Sequence, residues 1–451
     1  MAAFWTALVL SLFIFSSPAA ADDENRLDQW IKDHVKGSFR YKNFAHFNPT
    51  KAEQRPVRQE GILRLEVDQT FQENWRLFLV PQWKADTANY TASGFQDFRD
   101  TYLRDSYFSF HEGSLKYRGD NFDLAVGRQI YAWGTADGFN PTDNLNPRDY
   151  HDVPAREKMG IFSFAASYYP QDASVTLVVI PLFTPSRLPL INSRWNADPS
   201  RKPTTGLDAG LAGASIPPGT SVKRREMPGE RLDKIQAGIR AKQTIAGWDL
   251  SVSYFDGFDT QPVVRVVGTT GRPRFNRMHV IGTDFTTTSG KLEYHGEWAW
   301  KLYESGRATS ILPIVLGGMY TMDDDWVKNL GLDQILFNLE YSREVTLHKK
   351  DNDQYHESAI FTRPFQNSVL SRLALKFDEN NELHLSGNYN LHHHAIKRHH
   401  ENSYLQPKVI HKFSDSLNVE GGLEFFWGAH NSFWGKWKRN DRTFINLAYL
   451  F

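Results

Sequence analysis

The chain has 451 residues, long enough for several ordinary domains or one large barrel, with 52 basic and 52 acidic side chains, 14% aromatic residues and 13 Trp. The even charge balance argues against a general nucleic-acid binder, which carries a basic excess. The absence of cysteine excludes disulfides, thiol catalysis, iron–sulfur clusters and covalent c-type haem, and no cofactor is expected.

The N-terminus reads MAAFWTALVLSLFIFSSPAAADDEN. An apolar run from Phe4 to Phe15 leads through Ser-Ser-Pro to Ala19-Ala20-Ala21, so residues 1–21 are expected to be a signal peptide cleaved near Ala21. The run is short for a membrane span, and no cysteine follows it to carry a lipid. Residues 22–35 read as a short periplasmic segment. Within it Asn25–Val35 (NRLDQWIKDHV) suits a helix that a periplasmic or inner-membrane partner could touch. Mean hydropathy is −0.51 and no long apolar segment follows. That leaves a soluble secreted protein or an outer-membrane barrel, whose strands escape hydropathy because only alternate residues meet lipid.

Period-two patterning decides for the barrel. In Val57–Asp68, Leu63, Leu65 and Val67 alternate with Arg58, Glu60, Arg64 and Glu66. In Lys291–Leu302, Leu292, Tyr294, Trp298 and Trp300 alternate with Lys291, Glu293 and Glu297. Glu382–His392 and Leu417–Trp427 repeat the scheme. One face is apolar and aromatic, the other charged. The runs match the nine to eleven residues of a tilted membrane strand, and Trp75, Trp83, Trp298, Trp300 and Trp427 near their ends suit interfacial girdles. The charged faces should line a lumen; the expected pore-lining residues are Arg58, Glu60, Arg64, Glu66, Arg76, Arg240, Lys242, Lys291, Glu293, Glu297, Arg372, Glu420 and Glu424. Lys234 and Lys301 fall on such faces too.

Short turn-like links at 72–74, 170–172, 246–247, 288–290, 378–381 and 414–416 alternate with long polar loops at about 48–56, 86–99, 132–156, 186–228, 258–274, 348–364, 396–403 and 429–440. This is the short-turn, long-loop scheme of outer-membrane barrels. The expectation is an all-β antiparallel barrel over residues 36–451 with about 18 strands (16–18) and both termini in the periplasm. The final strand, Thr443–Phe451, places an aromatic or aliphatic residue at every second position back from Phe451, a terminal signal of the kind the barrel assembly machinery reads.

The stretch GRQIYAWGTADGFNPTDNLNPRDYHD ends a strand at Gly127-Arg128-Gln129 and then runs on as a Pro/Asn/Asp-rich loop. Turn residues there favour a fixed network. This loop and Thr184–Met227 are long enough to fold inward and narrow the lumen, or else to cap the mouth. Gly127, Arg128, Gln129, Trp133, Asp137, Asp143, Arg148 and Asp149 are the candidate constriction residues. Arg128 is in phase with Phe122, Leu124 and Val126, so either a bulge at Gly127 turns it inward or it snorkels to headgroups.

"GRQ" closing a strand before Trp-Gly and an Asn/Asp/Pro/Arg-rich loop, with "FWGKWKRND" before "RTFINLAYLF", resembles the alginate-export family of outer-membrane porins and related large proteobacterial barrels. The resemblance covers the layout and these two motifs. It implies an 18-stranded channel for a polar, even polymeric, solute. The mixed charge of the inward faces departs from the cationic path a polyanion needs.

Asp137, Asp143, Asp149 and Asp152 are oxygen donors of the kind calcium takes, at a spacing that fits no calcium motif. The five His of LHHHAIKRHHEN (Leu391–Asn402) could bind a transition metal but read as a solvated loop, and no metal site is expected. No G-x-S-x-G element or nucleophile neighbourhood accompanies His295 and His384, so no catalysis is expected. The expected function is a channel of the Gram-negative outer membrane, in contact with lipid and lipopolysaccharide, passing ions or polar solutes. The alternatives are a structural barrel or adhesin scaffold and, less favoured, a membrane hydrolase.

Overall fold

The computed structural model describes residues 23–451 except 51–52, 54, 97, 191–192, 197–216, 218–219, 358–362, 392–400 and 431. The expected signal peptide and the histidine cluster at 392–400 lie outside the described residues.

The alternating segments form a closed antiparallel barrel of 18 strands. In chain order these are β1 (Val35–His46), β2 (Val57–Phe71), β3 (Trp75–Asp86), β4 (Asp105–Arg118), β5 (Phe122–Gln129), β6 (Ile161–Tyr168), β7 (Ala173–Ile180), β8 (Gln236–Ile245), β9 (Trp248–Phe258), β10 (Arg277–Ser289), β11 (Leu292–Tyr303), β12 (Ser310–Met322), β13 (Gln334–His348), β14 (Asn367–Lys376), β15 (Asn381–Asn390), β16 (Asn402–Lys412), β17 (Leu417–Gly428) and β18 (Arg442–Leu450). Each pairs with its neighbours in sequence, and β1 closes on β18 from Ser38↔Leu450 to His46↔Arg442. Closure removes every edge, which is what a sheet in hydrocarbon requires. The seam ends on Phe451, whose amide and carbonyl both bond Gly37. A side chain at Gly37 would collide with the Phe451 ring.

Alternation sorts the faces. Leu177, Ile239, Val252, Tyr294, Leu316, Leu339, Leu405 and Ile445 are exposed on the outside, while Arg58, Glu60, Arg240, Glu297, Glu340, Glu424 and Arg442 are buried within. An apolar belt outside an ionic interior is the inverse of a soluble protein, and it is the surface a bilayer takes.

The links sort by rim as the sequence implied. The rim carrying the termini has tight turns, of which Ala246-Gly247 is a two-residue hairpin with both residues at positive φ (51° and 82°), the geometry that follows strand twist. The other rim carries the long loops and one link that the polar-loop pattern did not reveal, 304–309, too short to announce itself. A helix, α1 (Asp23–His34), leads into β1, and its Trp30 indole donates to Gln69 of β2 (2.6 Å).

The wall is uneven. β5, β6 and β7 have 8 residues each, against 14 in β4, and β5 pairs only with Gly113–Arg118 of β4. The rest of that β4 edge would be open. Thr91–Phe95, from the loop between β3 and β4, lies along it in parallel and covers its Asp105–Phe108 part.

Candidate channel and its constriction

The long loop 130–160 springs from the short side of the wall and crosses the lumen. Its root is apolar: Trp133, Leu145 and Ile161 pack with Val178, Ile180, Phe255, Met278 and Val280 of the wall. Burying each such side chain stabilises by about 1.5–3 kcal/mol. Beyond Trp133 the chain is steered by carboxylates of the far wall. Glu297 on β11 accepts from the Thr142 hydroxyl (2.6 Å). Gly134, at φ +98°, passes so close to Glu297 that a Cβ would lie 2.3 Å from its Oε2. At the tip, Glu340 on β13 accepts the backbone N–H groups of Asp137 (2.6 Å) and Gly138 (3.0 Å), and meets His295 of β11 at 2.9 Å. Asp137 in turn meets Arg372 of β14 (3.0 Å) and Asn338 of β13 (3.0 Å). A loop rooted between β5 and β6 is thus tied to β13 and β14, far round the barrel.

The returning half of the loop is clamped to the opposite wall. Asp152 receives two bonds from Arg442 of β18 (2.8 and 2.9 Å) and one from Arg58 of β2 (2.9 Å). Burial raises the Asp152 carboxyl, but the Arg442 and Arg58 guanidiniums outweigh it and hold it below the usual carboxylate range. Arg58 also binds Glu60, Arg442 binds Glu424, and Glu60 passes the chain of charge to Lys42 and Lys84. Lys84 continues to Asp105, and Arg187, from loop 181–235, gathers Asp100, Asp105 and Asp149 at 2.6, 3.2 and 3.3 Å. Removing one member of such a set strands buried charge, so the set holds the loops in one arrangement. An aromatic layer backs it: Tyr150, Val153, Leu188 and Trp195 pack with Phe426, Trp434 and Trp437. The "FWGKWKRND" motif therefore supplies part of the plug, and its Asn440 donates to the Arg194 carbonyl at 3.0 Å.

Arg58, Glu60, Arg64, Arg240, Glu297, Arg372 and Glu424 lie on the inner face of the wall, each engaged by a partner: Arg64 meets Glu157 at 2.6 Å and Arg240 grips Asp284 through both carboxylate oxygens at 2.8 Å. Glu66 and Arg76, with Lys36, Asp68 and the helix residues Asp33 and His34, border a cavity of about 510 Å³ at the turn rim. Glu293 meets His295 (3.4 Å), Glu420 meets Lys408 (3.4 Å), and Lys242 shares the face of Arg240. Lys291 is a correction. It sits in the β10–β11 turn and ties that turn to Asp323 and Asp324 of the next (2.6 and 2.5 Å), because the hairpin ends before it and frees its side chain from the wall. Lys234 likewise lies in loop 181–235, paired with Asp233.

Arg128 points into the lumen. No residue is inserted at Gly127, for the register runs through it on both sides. Instead Gly127 takes φ +134°, where a Cβ would lie 2.2 Å from the Gly113 carbonyl oxygen. The Arg128 guanidinium meets Asp100 at 3.0 Å and borders the same small cavity as Arg64, Lys84 and Arg187. Gln129 bonds Ser163 within β6. Asp143 holds Arg148 (2.8 Å) and Lys158 (2.7 Å). The four loop aspartates therefore face four different cationic sets and share no cage for calcium; among the described residues no group of metal-ligating side chains is gathered.

Two cavities remain beside the loop. An outer one of about 280 Å³ lies between it and β10–β12, bordered by Asp143, Arg148, Tyr150, Arg156, Asp259, Lys301, Tyr303, Glu357 and Arg363. Burial pushes the Asp259 carboxyl up, and its oxygen accepts from the Tyr303 hydroxyl at 2.7 Å. A second cavity of about 250 Å³ lies against β13–β16. Arg156, Lys301, Asp152 and Arg187 carry much of this geometry. Lys301 could be placed by strand phase, but the loop residues had no periodicity to mark them.

A wide, closed, antiparallel barrel with an apolar exterior and a charged interior has the layout of a porin. No protein-family model and no curated protein matches the chain. Among solved structures it is similar to OccK5 (OpdH) of Pseudomonas aeruginosa, at 11% identity, covering 93% of this chain and 98% of that one with a TM-score of 0.48. Pseudomonas aeruginosa OpdL is similar at 10% identity, 93% and 98% coverage and a TM-score of 0.49. A mutant Rh. blastica porin follows at 9%, 92% and 99%, with 0.39. Identity and superposition are too low to carry residues or solutes across, and the barrel assignment rests on the strand pairing above.

Proposed function

We propose that the protein is a channel of the Gram-negative outer membrane, passing ions and small polar solutes through a charged lumen narrowed by loops 130–160 and 181–235. The observation that carries this reading is the tip of loop 130–160, held across the lumen by Glu297 and Glu340 while cavities stay open beside it. A plug built only to seal would leave no such chambers beside its tip. In this reading the turn rim and α1 face the periplasm, residues 1–21 are removed on export, and Phe451 presents the final strand to the assembly machinery. Passage of an anionic polysaccharide is disfavoured, because the lumen cations are mostly paired with carboxylates rather than arranged as a continuous cationic path.

The second reading, a scaffold without transport, draws on the dense ionic clamp between loops and wall. Single-channel recording in planar bilayers separates the two. Discrete conductance steps are expected, and a folded barrel that inserts silently would leave the scaffold.

A further inference from the structure

The two cavities beside loop 130–160 adjoin one another. The outer one is walled by β10–β12 and the inner one by β13–β16, and both are bordered by Asp137, Gly138, Pro154 and Arg156. At their junction the Phe139 ring packs edge-on against Phe365, centroids 5.4 Å apart, and the Arg156 guanidinium lies 5.3 Å from the centre of the same Phe365 ring. Two charged side chains are common to both chambers. Asp137 is engaged by Arg372. Arg156 has no carboxylate within ion-pair distance among the described residues, and it is held at φ +41°, a backbone conformation that non-glycine residues adopt only when their surroundings impose it.

The outer chamber is lined by the cations Arg148, Arg156, Lys301 and Arg363 and by as many carboxylates, Asp137, Asp143, Asp259 and Glu357, but they are not all paired with one another. Lys301 has no carboxylate within ion-pair distance among the described residues. Asp143 is shared between Arg148 and Lys158, and Arg363 is matched by Glu344. The acids left over are Asp259 and Glu357, the first hydrogen-bonded to Tyr303 and the second to Thr309. Both chambers also present ring faces: Phe139, Tyr150 and Tyr303 outside, Phe365, Tyr404 and Trp434 inside.

We propose that Arg156 is the transfer and selectivity point of this channel, where small organic anions with a compact, flat apolar body pass singly from the outer chamber to the inner. The inference rests on the channel reading above. A carboxylate entering the outer chamber meets a guanidinium able to bind it through two parallel N–H donors. The body of the solute slides along aromatic faces that reject neither a ring nor a short chain. Arg156, stacked on Phe365, stays planar and fixed while the anion changes chambers. A chamber of about 280 Å³ admits one small ring and its carboxylate, and the Phe139–Phe365 contact stands in the way of a sugar polymer.

The test uses the whole barrel in planar bilayers under a potassium chloride gradient, with benzoate as the probe. The parent should favour chloride, and R156Q should lower the chloride-to-potassium permeability ratio by about threefold or more, as expected when a constriction charge is removed. K242Q, which deletes a lumen cation away from the junction, should shift the ratio by less than half as much. Benzoate should reduce chloride current in the parent and lose that effect in R156Q. Because the chain has no cysteine, R156C offers a single thiol, and an anionic methanethiosulfonate should cut its current faster than a cationic one. A conducting R156Q with unchanged ratio and unchanged benzoate block, or an equal shift in K242Q, overturns this proposal alone. A silent parent overturns it together with the channel reading.

Discussion

The backbone at the tip of loop 130–160 is held by the carboxylate of Glu340, so Glu340→Gln is the sharpest perturbation of the tip. Glu340 is 1% exposed, and its two oxygens each accept one backbone N–H, from Asp137 and from Gly138. Glutamine keeps the shape but offers one acceptor where two donors converge, and sets its amide N–H₂ against the second. One hydrogen bond to a charged acceptor is lost, a difference of about 1.5–3 kcal/mol. A loss of about 2 kcal/mol raises the population of the detached tip about 30-fold, at about 1.4 kcal/mol per factor of ten. The tip keeps its contacts through Asp137–Arg372 and Thr142–Glu297. The outcome is therefore excursions rather than permanent opening: brief steps to higher conductance and a rise in open-channel noise. Glu293→Gln is the control, for Glu293 meets only the other nitrogen of His295 and does not touch the loop. Equal conductance and noise in Glu340→Gln and the parent, with the barrel shown folded by circular dichroism, would refute the account of how the loop is held.

Arg442→Met leaves Asp152 and Glu424 facing each other without their shared guanidinium; a loss of about 3–5 kcal/mol is expected for one buried partner. It should appear as a lower temperature of heat-modifiability on gels, with a shift in tryptophan emission from the Trp195–Trp434–Trp437 layer. Gly127→Ala forces a Cβ against the Gly113 carbonyl at a strained φ, costing about 1–3 kcal/mol or more, and should cut the yield of folded barrel; a normal yield would mean the β4–β5 pairing can give way. A carboxyl held low in the folded chain contributes stability that is complete above its free value of about 3.9 and is lost as pH falls toward the folded one. Asp152 is such a group, so channel noise should stay flat from about pH 7 to about pH 5 and rise only under about pH 4; a rise near pH 6 would point to a different clamp.

The barrel was legible because its signal is repeated in every strand and does not depend on distant residues. Arg58, Glu60 and Arg64 against Leu63 and Leu65 already state which face is wet, and the pairing reproduces that division. Turn chemistry located both rims, apart from the brief links 119–121 and 304–309 and the longer, partly helical link 323–333. Lys291 misled because alternation was read one residue past the end of its strand, into a turn where side-chain phase no longer has meaning. The plug was legible only as composition. Proline and asparagine announced a fixed loop, but its anchors pair residues two hundred positions apart, as in Asp137 with Glu340, or nearly three hundred, as in Asp152 with Arg442. Nothing in a local window distinguishes those partners from other lumen charges. Arg128 shows the limit well: strand phase alone turned it outward, and a single glycine dihedral turns it back.

Charge balance around the loops also bears on where a solute can pass. On the side of β1–β4, β17 and β18, the cations Lys42, Arg58, Arg64, Lys84, Arg128, Arg187 and Arg442 meet an equal number of carboxylates, those of Glu60, Asp100, Asp105, Asp149, Asp152, Glu157 and Glu424. Such a region presents little net field, and its atoms are committed to one another. Buried ion pairs are a poor source of stability in themselves, but they fix geometry, since any other arrangement strands a charge. Arg156 and Lys301, which have no carboxylate within ion-pair distance among the described residues, lie instead beside the chambers facing β10–β16, with the carboxylates Asp259 and Glu357 near them. The plug thus has one half whose charges are committed to one another and position it, and another, beside the chambers, where Arg156 and Lys301 are not, and current should follow the second. Substitutions on the clamped side should therefore alter how steadily the pore is held, whereas those around Arg156 should alter which ions it prefers.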